Sequence, residues 1–158
     1  MEINVLIEEG LEIDLEIEWL QSILEKTLLA EDAPPNTEIS LVLTSQERIH
    51  ELNRDYRGKD KPTDVLSFSM AEQRTEEEPT DFIEPPDGLV HLGEIIISYP
   101  QAIFQAKEHH HTLNKEIATL IVHGVLHILG YDHEKPETEA AMQTREKDVL
   151  TAVLKETI

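Results

Sequence analysis

Residues 115–129 read KEIATLIVHGVLHIL, a stretch without proline in which apolar residues predominate. Such a stretch predicts a strongly apolar helix, and a helix that is apolar on most sides has to be buried within a domain. Apolar residues at helical spacing predict further helices at about 14–30, 45–56, 100–110 and 137–156. Asp14 is the predicted N-cap of the first, since its carboxylate can accept a hydrogen bond from a first-turn N–H group.

Four other segments predict strands, because they are short and rich in apolar or β-branched residues. They are residues 2–7, 38–44, 63–69 and 89–98. In the third, Val65 is expected on a different face from Leu66 and Phe68. A chain of 158 residues fits one domain. The mixture predicts one layer of sheet with helices packed on it, of α+β or α/β type. Our prediction is a single α+β domain, 1–158, with one mixed sheet of about four strands packed with about five helices.

Residues 71–88 form an acidic, proline-containing segment between the last two predicted strands. Seven acids and three prolines lie between Glu72 and Asp87, with one arginine. This composition predicts a flexible, solvated loop.

Composition restricts the function. The chain has 33 acids and 13 bases, a formal charge of −20, which argues against a generic nucleic-acid coat protein. It has no cysteine, which excludes disulfides and thiolate zinc sites, so any metal must be bound by His, Asp or Glu. The N-terminal residues MEINVLIEEG are acidic and carry no targeting pattern, and no stretch is apolar enough for a membrane span. A cytoplasmic location is the expectation.

Three histidines share one segment at a spacing suited to a single metal ion. His123 and His127 are four residues apart, which places both imidazoles on one face of the predicted helix. Gly130 allows a positive φ and a helix stop, so the chain can turn back and bring His133 to the same ion. Three nitrogen donors without a fourth protein ligand are typical of a catalytic zinc. The segment predicts a metal site on a helix and the turn that follows.

The same spacing matches that of metzincin peptidases, with one departure. Gly124 stands where those enzymes have the glutamate that acts as general base, so the usual peptidase route lacks its proton acceptor. Asp132, beside the third histidine, is a candidate to accept a hydrogen bond from an imidazole N–H. Glu116 lies nearly two turns before His123 on the same side of the helix, and is a second candidate for supporting the site.

A basic cluster precedes the third predicted strand. Four of the thirteen basic residues lie within eight positions, namely Arg54, Arg57, Lys59 and Lys61. In so acidic a chain this is the best candidate for a phosphate contact, because arginine can bind a phosphate through two parallel N–H donors.

A run of three histidines, His109-His110-His111, is interpreted as helical surface. Consecutive residues of a helix point in different directions, so the three side chains cannot all chelate one ion.

Three blocks of the chain together resemble the YbeY endoribonuclease family of bacterial rRNA maturation factors. The first comprises residues 52–57 (LNRDYR) and 61–68 (KPTDVLSF), the second residues 92–98 (LGEIIIS), and the third residues 123–133 (HGVLHILGYDH). Their order and approximate spacing also fit, so the resemblance covers most of the chain.

The resemblance implies a zinc-dependent endonuclease that is specific for single-stranded RNA. It implies a role in maturation of the 3′ end of 16S rRNA and in late-stage quality control of the 70S ribosome. His123, His127 and His133 would bind one zinc ion per chain, and Arg57 would be the functional arginine of the RNA-facing cleft. The expected partners are single-stranded RNA and the ribosome or its small-subunit proteins, with no membrane and no DNA.

Two other functions stay open. The spacing of the ligands fits a zinc-dependent peptidase, although Gly124 opposes it. A non-catalytic ribosome assembly factor with structural zinc would need the same three histidines and no reaction. The residues by themselves reach only a metal-dependent hydrolase.

Overall fold

The computed structural model describes residues 1–70, 88–130 and 136–157, and within these ranges the predicted α+β architecture is confirmed. Four strands form one sheet in the order β1-β2-β4-β3. β1 pairs with β2 and β2 with β4 in parallel, whereas β3 runs antiparallel to β4, so the sheet is mixed. The strands are β1 (Glu2–Ile7), β2 (Thr37–Thr44), β3 (Val65–Ser69) and β4 (Val90–Ser98).

Five helices in the described ranges accompany the sheet, and α4 is the central one. It contacts α1, α3 and α5 as well as β3 and β4. Its residues Ile117, Ile121 and Val125 are fully buried, which is the burial that its apolar sequence requires. The helices are α1 (Ile17–Ala30), α2 (Gln46–Arg57), α3 (Tyr99–Glu108), α4 (Leu113–Ile128) and α5 (Pro136–Thr157).

The two faces of the sheet are covered differently. Ile95 and Ile97 of β4 belong to the main core with α1, α4 and α5. Ile96, between them, packs on the other face with Leu66 and with Ile49 of α2. This alternation also confirms that Val65 lies on a different face from Leu66 and Phe68, since side chains of a strand point to opposite faces in turn.

The predicted start of the first helix is wrong. α1 begins at Ile17 after Glu16, and Asp14 is not its N-cap. The backbone N–H of Asp14 donates to the hydroxyl of Tyr99 at 3.0 Å, and Leu15 is buried. A contact with distant α3 therefore holds this segment extended, where local helical spacing suggested another turn. The predicted start of α2 is correct, because the Ser45 hydroxyl accepts a hydrogen bond from the Arg48 N–H.

The predicted acidic loop lies almost entirely outside the described residues, which resume at position 88.

Candidate functional site

The two helical histidines share one face of α4, as their spacing predicts. The ring centroids of His123 and His127 are 6.2 Å apart, and both residues are half-buried. The adjacent Val122, Val125 and Leu126 are almost completely buried, so the core fixes the rotation of the helix here. A fixed pair of imidazoles at this separation suits two ligands of a single ion.

Glu146 of α5 is a residue of this site that sequence reasoning missed. Its carboxylate makes a short hydrogen bond with Nδ1 of His123. That hydrogen bond is the main reason why the pKa of His123 is raised. Burial of the ring acts to lower the pKa, and the negative charges of Glu146 and Asp64 raise it further. A carboxylate on one ring nitrogen is the usual partner of a metal-binding histidine, which binds its ion through the other nitrogen. No spacing in the sequence indicates Glu146, because it is one of many acids and the contact spans 23 residues.

Gly124, between the two histidines, packs directly on the sheet. An added Cβ would lie 3.0–3.1 Å from side-chain carbons of Ile95. Contacts this short require the Ile95 side chain to yield by a few tenths of an ångström, so a substitution here crowds the packing against β4. The position that holds a glutamate in metzincin peptidases is therefore buried against Ile95.

The turn after α4 begins as predicted, and its end lies outside the described residues. Gly130 has φ of +107°, a left-handed conformation that ends the helix. The predicted third ligand, His133, and its neighbour Asp132 lie outside the described residues, so both stay predictions.

Arg57 ends α2 and reaches the strand at the edge of the described sheet. Its guanidinium donates a short hydrogen bond to the carbonyl oxygen of Ser67 in β3. The same group lies over the ring of Phe68, 5.5 Å from the centroid. Ser67 pairs with Ile95, the residue that packs on Gly124, whereas Phe68 lies on the face of the sheet that α2 covers, so Arg57 is anchored at the β3 edge of the sheet. The residue is exposed, and its remaining N–H groups can bind an anion.

The other predicted phosphate ligands are exposed around the end of α2. Arg54 forms an ion pair with Asp55 at 3.1 Å, which offsets its charge. Lys59 and Lys61 follow in the loop, where Asn53 donates a hydrogen bond to the Lys61 carbonyl oxygen at 2.8 Å. The loop is thus fixed by its backbone, while the lysine side chains extend into solvent.

Glu116 is buried, but its hydrogen-bond partners are not the α4 histidines that it was predicted to support. Gln105 donates to its Oε1 at 2.8 Å, and His109 and His111 contact its Oε2. Burial acts to raise the pKa of Glu116, yet the hydrogen bonds from His111, Gln105 and His109 hold it below the usual value. Its described hydrogen bonds do not include His123 or His127, so a supporting role there stays a prediction.

The interpretation of His109-His110-His111 as helical surface needs correction. α3 ends at Glu108, so the run is not helical, and His110 has a left-handed φ of 55°. The rings of His109 and His111 consequently come into edge-to-face contact, with centroids 5.4 Å apart, while His110 is exposed as expected. With Glu116 they form the one group of three potential metal ligands found among residues 1–70, 88–130 and the described part of α5.

A groove on the opposite face of the sheet is separate from these histidines. Its volume is about 660 Å³, and its lining includes Tyr56, Phe68, Glu38 and His91. His91 contacts Glu38 through Nδ1 at 2.5 Å. The histidines of α4 do not line this groove, so its size does not identify the candidate metal site.

None of the helices in the described ranges is long and apolar enough to span a membrane.

Comparison with known proteins identifies one family throughout. The family model described as Endoribonuclease YbeY matches residues 7–154. A protein of Dehalococcoides mccartyi named Endoribonuclease YbeY is 49% identical over 148 residues, which cover 92% of this chain and 86% of the relative. A protein of Chloroflexus aurantiacus with the same name is 42% identical over 150 residues, covering 94% and 93%.

A solved structure has a similar fold. It is the solution structure of TM1509 from Thermotoga maritima, with a TM-score of 0.62 and 28% sequence identity. The match covers 98% of this chain and 90% of that one.

Proposed function

Because this chain belongs to the YbeY endoribonuclease family, we propose that it is a zinc-dependent enzyme that cleaves single-stranded RNA. Its natural substrate in this proposal is the precursor of 16S rRNA, cleaved during maturation of the 3′ end. Late-stage quality control of the 70S ribosome is the second part of the role, and both place the enzyme in the cytoplasm.

The arrangement of His123 and His127 is the observation that carries the proposal. Two half-buried imidazoles share one face of a fixed helix, and Glu146 occupies Nδ1 of the first. This donor set fits zinc, which is bound by neutral imidazoles whose other nitrogen is held by a carboxylate. His133 would complete the set of three. When bound there, zinc supplies Lewis acidity toward water and toward a phosphoryl group.

Arg57 would bind the phosphate that is cleaved. Its anchorage to the Ser67 carbonyl oxygen and to the Phe68 ring restricts the side chain before substrate arrives. A guanidinium held in this way can stabilise charge that grows on the phosphoryl oxygens with little reorganisation. Arg54, Lys59 and Lys61 are proposed to bind flanking phosphates of the strand.

The overall charge of −20 repels RNA outside this region, so binding is expected to depend on the local basic cluster. Partner surfaces on the ribosome or its small-subunit proteins would bring the substrate to the site. Higher salt screens this repulsion, and it also weakens the contacts between the basic cluster and phosphates.

The packing of Gly124 counts against the peptidase alternative. A glutamate at this position would have to enter the contact with Ile95, where a Cβ alone is already crowded. This chain therefore lacks the general base of a metzincin peptidase, at a position where a side chain would crowd Ile95.

The experiment is cleavage of a labelled single-stranded RNA by the purified full chain, with His127→Ala prepared identically. We expect cleavage by the wild-type protein only, no cleavage of the corresponding duplex, and no hydrolysis of casein. A precursor RNA carrying the 3′ end of 16S rRNA should be cut at a defined position, unlike a scrambled RNA of equal length. Equal cleavage by wild type and His127→Ala would refute the site, and casein hydrolysis would favour the peptidase. Zinc-dependent stability without any cleavage would favour the assembly factor.

A further inference from the structure

We propose that His109, His111 and Glu116 form a second metal site, which binds a divalent ion of the zinc type and is separate from the site on α4. The potential ligand atoms of these residues all lie within 4.8 Å of one another. The two rings meet edge to face with centroids 5.4 Å apart, closer than those of His123 and His127. A nitrogen of each ring contacts Oε2 of Glu116, so the three potential ligand atoms form one compact group.

The connection between α3 and α4 produces this convergence. α3 ends at Glu108, and the left-handed φ of 55° at His110 turns the chain so that its two neighbours face the same side. The N–H groups of His110 and His111 bond back to the carbonyl oxygens of Lys107 and Ala106, the hydrogen-bond pair of a helix end with a left-handed residue, so this turn is well defined. Thr112 then caps α4 through its side chain, which places Glu116 in the first turn beside both rings.

The burial and orientation of Glu116 favour a role as a metal ligand over that of an ordinary surface carboxylate. Its side chain is only 4% exposed, compared with 19% for His111 and 56% for His109. Gln105 holds Oε1 at 2.8 Å, which aims the other oxygen at the imidazoles. The exposed ring of His109 leaves one side of the group open for an ion to enter.

The donor set identifies the class of ion. Two imidazole nitrogens and one carboxylate oxygen suit zinc and related transition-metal ions, whereas calcium and magnesium prefer sets made of oxygens. The ion would join the end of α3 to the first turn of α4, so we expect it to stabilise this connection.

The two metal sites share no ligand. Glu116 and His123 are seven residues apart on α4, which corresponds to about 10 Å along the helix axis. Gln105 also donates to Asp64 at 3.3 Å, and the charge of Asp64 acts on His123, so a polar connection lies between the sites. The second site does not rest on the proposed RNA cleavage, because it concerns other residues.

The test counts zinc bound by the full chain in equilibrium dialysis. In a His123→Ala/His127→Ala background, which removes the first site, we expect one bound zinc ion per chain. Adding His111→Ala should abolish that binding. Adding His110→Asn should leave it intact, because His110 is exposed and asparagine tolerates a left-handed backbone.

Thermal unfolding of the same variants checks that each is folded and gives a second measurement. Zinc should raise the melting temperature of the background protein and of its His110→Asn form, and leave that of its His111→Ala form unchanged. Glu116→Gln, which preserves the shape of the side chain, should also abolish the rise. If the background protein binds no zinc, the two imidazoles serve only to neutralise a buried carboxylate and the proposal is wrong. Equal binding with and without His111 would overturn it as well, and neither result depends on RNA cleavage.

Discussion

Two groups of histidines lie near opposite ends of α4, and they arise in different ways. His123 and His127 belong to one continuous helix, where a spacing of four residues brings their rings together. His109 and His111 belong to the connection between α3 and α4. There the left-handed backbone of His110, between them, brings their rings together. Both groups include a carboxylate: Glu146, 23 residues from His123, in the first, and Glu116, five residues from His111, in the second.

The difference shows what a sequence pattern can and cannot predict. Helical periodicity is regular, so a spacing of four residues has one geometric meaning as long as the helix continues. A run of three histidines has no such meaning until the end of the helix is known. Helix ends are among the least certain features of a sequence, and here the end at Glu108 changes the geometry of all three residues.

The largest expected effect is on RNA cleavage, which should depend on the α4 histidines and not on His109 and His111. His123→Ala should reduce cleavage of single-stranded RNA to the level of a protein-free control, because it removes a proposed ligand of the catalytic metal. His109→Ala should change the cleavage rate less than about twofold, since its group lies about 10 Å further along the helix. Rates measured with a labelled RNA under identical zinc concentrations decide this. A similar loss in both variants would show that the two groups act as one site.

Gly124 distinguishes the two groups by packing, because it lies next to His123 and packs against Ile95 of the sheet. Gly124→Glu should lower the free energy of unfolding by roughly 3 kcal/mol or more, through crowding against Ile95 and burial of an unpaired charge. Gly124→Ala is the control and should cost much less, because Ile95 has to yield by only a few tenths of an ångström. Denaturant unfolding measures both. Equal stability of the glutamate variant and wild type would mean that this contact is not close in solution.

In our proposal, Arg57 binds the phosphate that is cleaved at the α4 site, and the second group has no residue with this role. Arg57→Ala should slow RNA cleavage by about 100-fold, the usual cost of removing one donor to the developing charge. Zinc content should be unchanged, since Arg57 binds the Ser67 carbonyl oxygen and no proposed metal ligand. Arg48→Ala is the matched control, because Arg48 lies at the other end of α2 in an exposed ion pair with Glu51. Loss of zinc together with activity would assign Arg57 a structural role instead.

The smallest effect concerns the residues that orient the ligands. Glu146→Gln should weaken zinc binding at the α4 site by about 10- to 100-fold, as is usual when the outer partner of a ligand is altered. Gln105→Ala should weaken only the second site, through loss of the hydrogen bond to Oε1 of Glu116. Competition with a zinc indicator, in variants that keep one site each, separates the two effects. Equal weakening of both sites by Glu146→Gln would show that they are coupled.

Much of the fold could be predicted from the sequence, because strands and long helices carry regular apolar patterns. The order of elements, the mixed sheet and the faces of β3 followed from such patterns. The start of α1 did not, since Asp14 is held by Tyr99, a contact across 85 residues. No local pattern contains information about a partner that far away.

The sequence by itself determined the family, the α+β architecture and the shared face of His123 and His127, because each depends on local spacing or on contiguous motifs. Tertiary structure decided the rest. It brought Glu146 to His123, closed Gly124 against Ile95, and turned His109 and His111 toward Glu116. The physical reason is the same in each case. These contacts depend on how helices end and on which elements pack together, and the burial of the core as a whole sets both.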